Sequence, residues 1–344
     1  MNRRIFLQNV IAIPAAAWLA SLPMPSRGQE TKGSSAMDKV NTVSGPITVD
    51  KLGVTLPHEH ILVDFIGAAE VSPDRYDADE VVNTVLPYLV QAREVGVQTL
   101  VECTPAYLAR DAVVLAKLSE LSGVQIVTNT GYYGAGQDKF LPPHAFTESA
   151  DELAARWMRE AQDGIDGTGI LPGFIKTAVD PGPLSEVDRK LLHAAAITHR
   201  ETGLVIASHT TDAVSILETL EILQEESVPG DGFIWVHAHT VTDLSVHDSA
   251  AEAGIWIELD GLSKASVDLH LELLTHHHKK ERLNQIMISH DAGWYSVGEP
   301  GGGDFRGFDT LFNEMNLAMI DAGVGKDEWE QLVIRNPAQA FRIR

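Results

Sequence analysis

A single cysteine, Cys103, occurs among the 344 residues, so the chain can form no intrachain disulfide and no thiolate-rich zinc site. In the run VQTLVECT it reads as a small buried hydrophobe. Positive charge is scarce as well: 26 Lys and Arg stand against 48 Asp and Glu, a formal net charge of -22. That field argues against nucleic acid or an anionic membrane surface as partner and favours small neutral or cationic substrates. A local cationic metal centre would override it at close range. No Gly-x-Gly-x-x-Gly follows the first strand candidate, which disfavours a doubly wound nucleotide-binding sheet. The run Gly301 to Gly303 comes after the last strand candidate and reads as a mobile loop. The apolar run VIAIPAAAWLA near the N-terminus is too short to be a comfortable membrane span.

What is present begins with that N-terminus. Arg3 and Arg4 stand directly before Ile5, Phe6 and Leu7, the apolar run follows, and SLPMPSRGQETKGSSA then supplies a polar linker. This is the twin-arginine export pattern, so residues 1–36 are expected to be a signal peptide and linker. The twin-arginine export machinery is then an expected partner and the periplasm, or export, the expected location. An uncleaved anchor is the alternative. Residues 37–344 are expected to form one domain.

With 44% hydrophobic and 22% charged residues the chain can bury a large core. From Met37 onward apolar strand candidates at 52–60, 97–102, 124–129, 172–176, 204–208, 233–237, 255–259 and 286–290 alternate with segments of helical period. Glycines close several of those segments: Gly96, Gly123, Gly203, Gly254 and Gly323. About eight strand-helix units in a chain of this length predict a (β/α)8 TIM barrel.

In VTLPHEHILVDF, His58 and His60 are two apart and so project from one face of a strand, with Glu59 pointing away. Alone, the pair reads equally as two metal ligands or as two hydrogen-bonded core imidazoles. A barrel places its active site at the C-terminal strand ends. Lys176 ends GFIK, His209 ends VIASH, His237 ends IWVH and Asp291 ends IMISHD, so they converge with the first pair on one rim. Lys176 lies on an apolar strand, where an unpaired ammonium is costly. As a carbamate, N6-carboxylysine, it would bridge two divalent ions. The carbamate, Asp291 and a bridging hydroxide would then leave the centre a net cation, suited to hydrolysis. Zinc fits the donor set, with manganese, cobalt or iron as alternatives.

LPHEH, GFIKTAVD, SHTTDA, the WVHAH histidine, SHDAGW and RNPAQAF resemble the phosphotriesterase family of the amidohydrolase superfamily, including its lactonase branch, from about Val43 to Phe341. The resemblance implies that His58, His60 and Asp291 hold a more buried metal, His209 and His237 a more exposed one, and that carboxylated Lys176 bridges them. TPAYLARD and NTGYY also match, and Tyr133 stands where lactonase-like members place a tyrosine near the metal-bound hydroxide. Relatives are often dimers, so a homodimer is the implied assembly. Asp260 is followed by Gly261 where phosphotriesterases proper have a histidine, and Ala238-His239-Thr240 also departs from the pattern.

The expected activity is hydrolysis of a small neutral lactone or related carboxylic ester by a metal-bridging hydroxide, with Asp291 as the proton carrier and Tyr133 orienting. Organophosphate triester hydrolysis is the alternative, and a periplasmic metal or small-ligand binding protein the alternative of another class. Trp294 and Tyr295 are candidate pocket walls. His276, His277 and His278 read as a solvated helical face, and His193, His199, His247 and His270 carry no spacing signal.

Overall fold

The computed structural model describes residues 38–344; the expected export segment lies outside the described residues. The chain enters through an antiparallel hairpin, β1 (Lys39–Thr42) and β2 (Gly45–Thr48), that the sequence pattern does not announce. The strands that follow are β3 (Thr55–Val63), β4 (Thr99–Glu102), β5 (Gln125–Val127), β6 (Asn129–Thr130), β7 (Phe174–Ala178), β8 (Val205–His209), β9 (Phe233–Val236), β10 (Trp256–Leu259), β11 (Ile286–Ile288) and β12 (Gly293–Ser296).

All neighbouring pairs among them are parallel. A six-stranded sheet runs from β11 to β6 and a four-stranded one from β12 to β5. The two meet twice within single strands: Thr128 separates β5 from β6, and residues 289–292 separate β11 from β12. At the second break the ring closes through Asp291 N–H to the His58 carbonyl at 3.1 Å and His60 N–H to the Ala292 carbonyl at 2.8 Å. The ten ladder segments are therefore the strands of one (β/α)8 barrel, as the alternation predicts.

The period of two decides what faces the axis. Phe174 and Lys176 on β7, Val205, Ala207 and His209 on β8, and Trp256, Glu258 and Asp260 at β10 share inward parity. Apolar members of these sets fill the lower barrel with Val101, Cys103, Val127, Ile234 and Met287. The hairpin's Val40 and the C-terminal Phe341, edge-on to Phe174 at 5.5 Å, join that inner cluster. Polar members come later along each strand and so collect at the upper rim.

The helices α1 (Ala78–Glu94), α2 (Ala112–Ser122), α3 (Ala150–Asp163), α4 (Glu186–Thr202), α5 (Ala213–Glu225), α6 (Leu244–Glu252) and α7 (Val267–Lys279) follow the strands, and α8 (Asn316–Asp321) continues a π-turn over Leu311–Met315. Side chains of Asp77, Asp111, Ser149, Ser185, Asp212 and Asp243 cap their N-termini. Each cap stabilises by about 1 kcal/mol. Gly123 and Gly203 end α2 and α4 in left-handed conformation, as expected. None of the described helices is long and apolar enough to cross a membrane.

Two details differ from the sequence reading. Lys176 does not end its strand: Thr177 and Ala178 continue the pairing with Ser208 and His209, so the lysine sits below the rim, on the axis. His277 is not solvated, because α7 packs on α6 and buries it against His247, Nε2 to Nδ1 at 3.2 Å.

Candidate metal centre

His58 and His60 stand on a nine-residue strand that is buried throughout. Their Nε2 atoms point toward Asp291 Oδ1, at 3.7 and 3.2 Å. Their other nitrogens are engaged. His60 Nδ1 meets Thr104 Oγ1 at 2.8 Å. His58 Nδ1 meets Glu258 Oε2 at 3.1 Å and Asp260 Oδ2 at 3.3 Å. Such partners fix the ring and leave Nε2 as the free donor.

His237 directly follows β9 in a left-handed conformation, φ 65°, which swings its ring over the cavity. Asp260 Oδ1 holds its Nδ1 at 2.5 Å, and Asp260 Oδ2 accepts its backbone N–H at 3.0 Å. Asp260 thus ties His58 and His237 together through their Nδ1 atoms, so that grouping orients ligands rather than holding a third ion. His209 packs edge-on to His237 at 4.4 Å, and its Nδ1 lies 3.0 Å from the Tyr133 hydroxyl. His58, His60, Tyr133, Lys176, His209, His237 and Asp291 all line one cavity of about 90 Å³. Every residue singled out from the sequence as a ligand or catalytic group is brought together there.

Electrostatics prepare the imidazoles to donate. Burial lowers the pKa of His58 to about 3, with Lys176 adding to the effect, and burial likewise lowers His60 and His209. Neutral imidazole is the ligating form. Burial pushes the Asp291 carboxyl up, but His60, His58 and His237 outweigh it and hold Asp291 below the usual carboxylate range. Of the two carboxyls beside His58, burial raises Glu258 far above the ordinary range, whereas His237 and His58 overcome burial at Asp260 and lower it. Asp260 carries the negative charge of the pair. Burial also raises the Tyr133 phenol, which stays protonated.

Three buried atoms around this cavity lack any hydrogen-bond partner among the described residues: His58 Nε2, Lys176 Nζ and Asp291 Oδ1. An unpartnered buried ammonium, imidazole nitrogen and carboxylate oxygen each cost free energy, and divalent cations beside a modified lysine remove that cost together. His58, His60 and Asp291 offer donor atoms close enough to share one ion. The residues therefore fit a metal centre.

A sequence model of the phosphotriesterase family matches residues 38–341. The chain belongs to the phosphotriesterase family. It is 31% identical over 248 residues, 70% of this chain and 77% of the relative, to a protein of Saccharolobus solfataricus named aryldialkylphosphatase. It is 28% identical over 300 residues, 86% of this chain and 100% of the relative, to an Escherichia coli phosphotriesterase homology protein. A Homo sapiens protein named N-acetyltaurine hydrolase is 24% identical over 348 residues, 89% of this chain and 98% of the relative. Members of the phosphotriesterase family are (β/α)8 hydrolases that use a binuclear metal centre, and the donors described above could hold one here.

The ring of His239 lies against Asp260, Nδ1 to Oδ1 at 3.2 Å, and stacks on His270 at 5.3 Å. A Cβ on Gly261 would come within 2.6 Å of His239 Nε2. A histidine ring therefore does stand beside Asp260, supplied by the turn after β9 rather than by residue 261.

Glu59, Thr104 and Glu258 escaped the sequence reading. Glu59 accepts from Ser289 Oγ at 2.8 Å, His290 Nδ1 at 2.7 Å and the N–H groups of His290 and Ala292 at 3.1 and 2.8 Å, clamping the turn that carries Asp291. Glu258 had a signal: it is two residues before Asp260 on one strand and so shares its face. Of the expected walls, Trp294 lines the cavity. Tyr295 does not, because alternation turns it to a separate surface cleft with Tyr76 and Glu80. Gly301 borders that same cleft, and none of the three loop glycines lines the metal cavity.

Proposed function

We propose that the protein hydrolyses a lactone or related neutral carboxylic ester at a two-metal centre held by His58, His60, Lys176, His209, His237 and Asp291. The observation that carries this reading is the convergence of three unpartnered buried atoms, His58 Nε2, Lys176 Nζ and Asp291 Oδ1, around one small cavity. In this reading Lys176 is carboxylated on Nζ. The modification turns a buried, unpaired cation into an anion with two donor oxygens, which suits a position between two cations. Zinc fits the nitrogen and oxygen donors, and manganese, cobalt or iron are the alternatives.

When bound, the ions activate water at neutral pH and polarise the ester carbonyl. The chain supplies the rest. Asp291, held ionised by its histidine neighbours, takes up the proton released on attack and returns it to the leaving alkoxide. Tyr133 keeps its proton and offers its hydroxyl as a donor beside His209. Asp260 and Thr104 hold the imidazoles in register.

Organophosphate triester hydrolysis is the second reading, supported by the likeness to the protein named aryldialkylphosphatase. Relatives named N-acetyltaurine hydrolase add an amide to the bonds worth testing. The experiment is elemental analysis of residues 37–344 with parallel assays on a lactone panel, a paraoxon-type triester and an N-acetyl amide. About two metals per chain with lactone turnover ahead of the others is the expected outcome. Background metal, or no hydrolysis of any class, would leave a barrel-shaped binding protein. In Asp291→Asn, turnover should fall by at least about a hundredfold while metal is retained.

A further inference from the structure

His58 and His60 point Nε2 into the same cavity, yet what stands behind their rings differs. Two carboxyls, Glu258 and Asp260, meet Nδ1 of His58. What meets Nδ1 of His60 is a neutral hydroxyl, Thr104 Oγ1, at 2.8 Å. A neutral imidazole carries one ring proton, and Nε2 is free to bind an ion only while that proton sits on Nδ1. On the other side of the ring, Asp291 Oδ1 lies 3.2 Å from His60 Nε2, closer than its 3.7 Å from His58 Nε2. An ionised carboxylate is a stronger acceptor than a hydroxyl. These two partners alone would therefore draw the His60 proton to Nε2 and close the ligand off.

The hydroxyl has support of its own. Once Thr104 Oγ1 accepts from His60, its own proton must go elsewhere, and the buried Glu102 carboxyl stands beside it. Burial pushes that carboxyl up to about 7, against the opposing pull of the Thr104 hydroxyl and of the Ile61 and Thr104 N–H groups. The Ile61 N–H donates to Glu102 Oε1 at 3.2 Å, whereas Oε2 has no hydrogen-bond partner among the described residues. A hydroxyl with a proton to place thus faces a carboxylate with a lone pair to fill. Asn129 fixes the segment that carries both: its Nδ2 donates to the backbone carbonyl of Glu102 at 3.0 Å and to that of Thr104 at 3.1 Å.

We propose that Glu102 is a positioning residue for the metal centre: it accepts the Thr104 hydroxyl proton, makes Thr104 the acceptor for His60 Nδ1–H, and so keeps His60 Nε2 open to an ion. Glu102 does not line the cavity and acts only through Thr104. Two histidines of one strand reach the same tautomer by different routes, His58 directly and His60 through a relay. This inference rests on the metal-centre reading of the same site.

The test is zinc retention by the whole chain in competition with a chromophoric chelator at pH 8.5, where Glu102 is ionised, with Tm recorded for every variant. Thr104→Val and Glu102→Leu should each weaken zinc binding about tenfold. The double variant should bind no more weakly than Thr104→Val alone, because both changes break one relay. Thr104→Ser and Glu102→Gln, which keep the hydroxyl and an acceptor oxygen, should stay within a few-fold of the unaltered chain. Losses that add in the double variant overturn the relay and leave Glu102 as a support for the Ile61 N–H. Unchanged zinc retention in Thr104→Val overturns it too, and that result needs no Glu102 variant to fold. Background zinc in the unaltered chain overturns the metal-centre reading and the relay with it, whereas zinc held equally by every variant overturns the relay alone.

Discussion

His58 offers Nε2 to the cavity only while Nδ1 is held elsewhere, and two carboxyls, Glu258 and Asp260, stand within 3.3 Å of that second nitrogen. Asp260 is divided between His58 and His237, so Glu258 is the acceptor that belongs to His58 alone. Glu258→Leu should therefore weaken metal retention by about tenfold in a chelator competition, whereas Glu258→Gln, which keeps an acceptor oxygen, should stay within a few-fold. Equal losses in both variants would show that burial of any side chain, not the hydrogen bond, is what matters there. The ligands themselves were legible because histidine and lysine at strand ends are chemically conspicuous. Glu258 was not, since a glutamate within a strand declares neither its depth nor its partner until the barrel curves β10 beside β3.

At the scale of elements, the pairing of α6 with α7 makes the fold sensitive to acid. His247 and His277 are buried together with their rings tilted by 50°, His247 Nε2 lies 2.7 Å from the Val241 carbonyl, and Asp248, His276 and Arg282 border the pair. Burial, reinforced by His247 and His276, lowers His277 to about 3 from an ordinary value near 6.5. A histidine depressed on folding stays neutral in the native state while the unfolded chain takes up a proton. Its contribution is fully present above the unfolded pKa and falls as the pH drops through 6.5 toward 3. Between pH 7 and pH 5 this site should cost about 1–2 kcal/mol of stability, read from urea melts at both values. His277→Gln should flatten that acid limb, and an unchanged slope would remove His277 as its cause. The helices were legible from their caps and glycines, but which histidine on α7 turns inward depends on how α7 packs on α6. Three consecutive histidines look alike in sequence and end in three environments: His276 on Asp248, His277 in the core, His278 in solvent.

At the scale of the whole molecule, strand-helix alternation made the barrel legible, because parallel strands covered on both faces read as short apolar runs between helices. The closing hairpin and the two breaks in the ring were not legible, since a proline-bearing strand such as GPIT and a left-handed aspartate such as Asp291, φ 50°, follow from tertiary contacts. The N-terminal arginine pair carries a prediction of its own. Replacing Arg3 and Arg4 together by lysine should hold the protein in the cytoplasmic fraction while the original sequence is exported, and equal distribution of the two would dismiss the export pattern. The His239 ring beside Asp260 has a consequence for how relatives of this molecule can be reached by mutation. Gly261 has φ 73° and its open side is taken by that ring, so Gly261→His alone must clash and strain the backbone. Vacating residue 239 first removes the clash and leaves only the strain of the left-handed backbone, so moving a histidine from one turn to the other costs less in that order of steps than in the reverse.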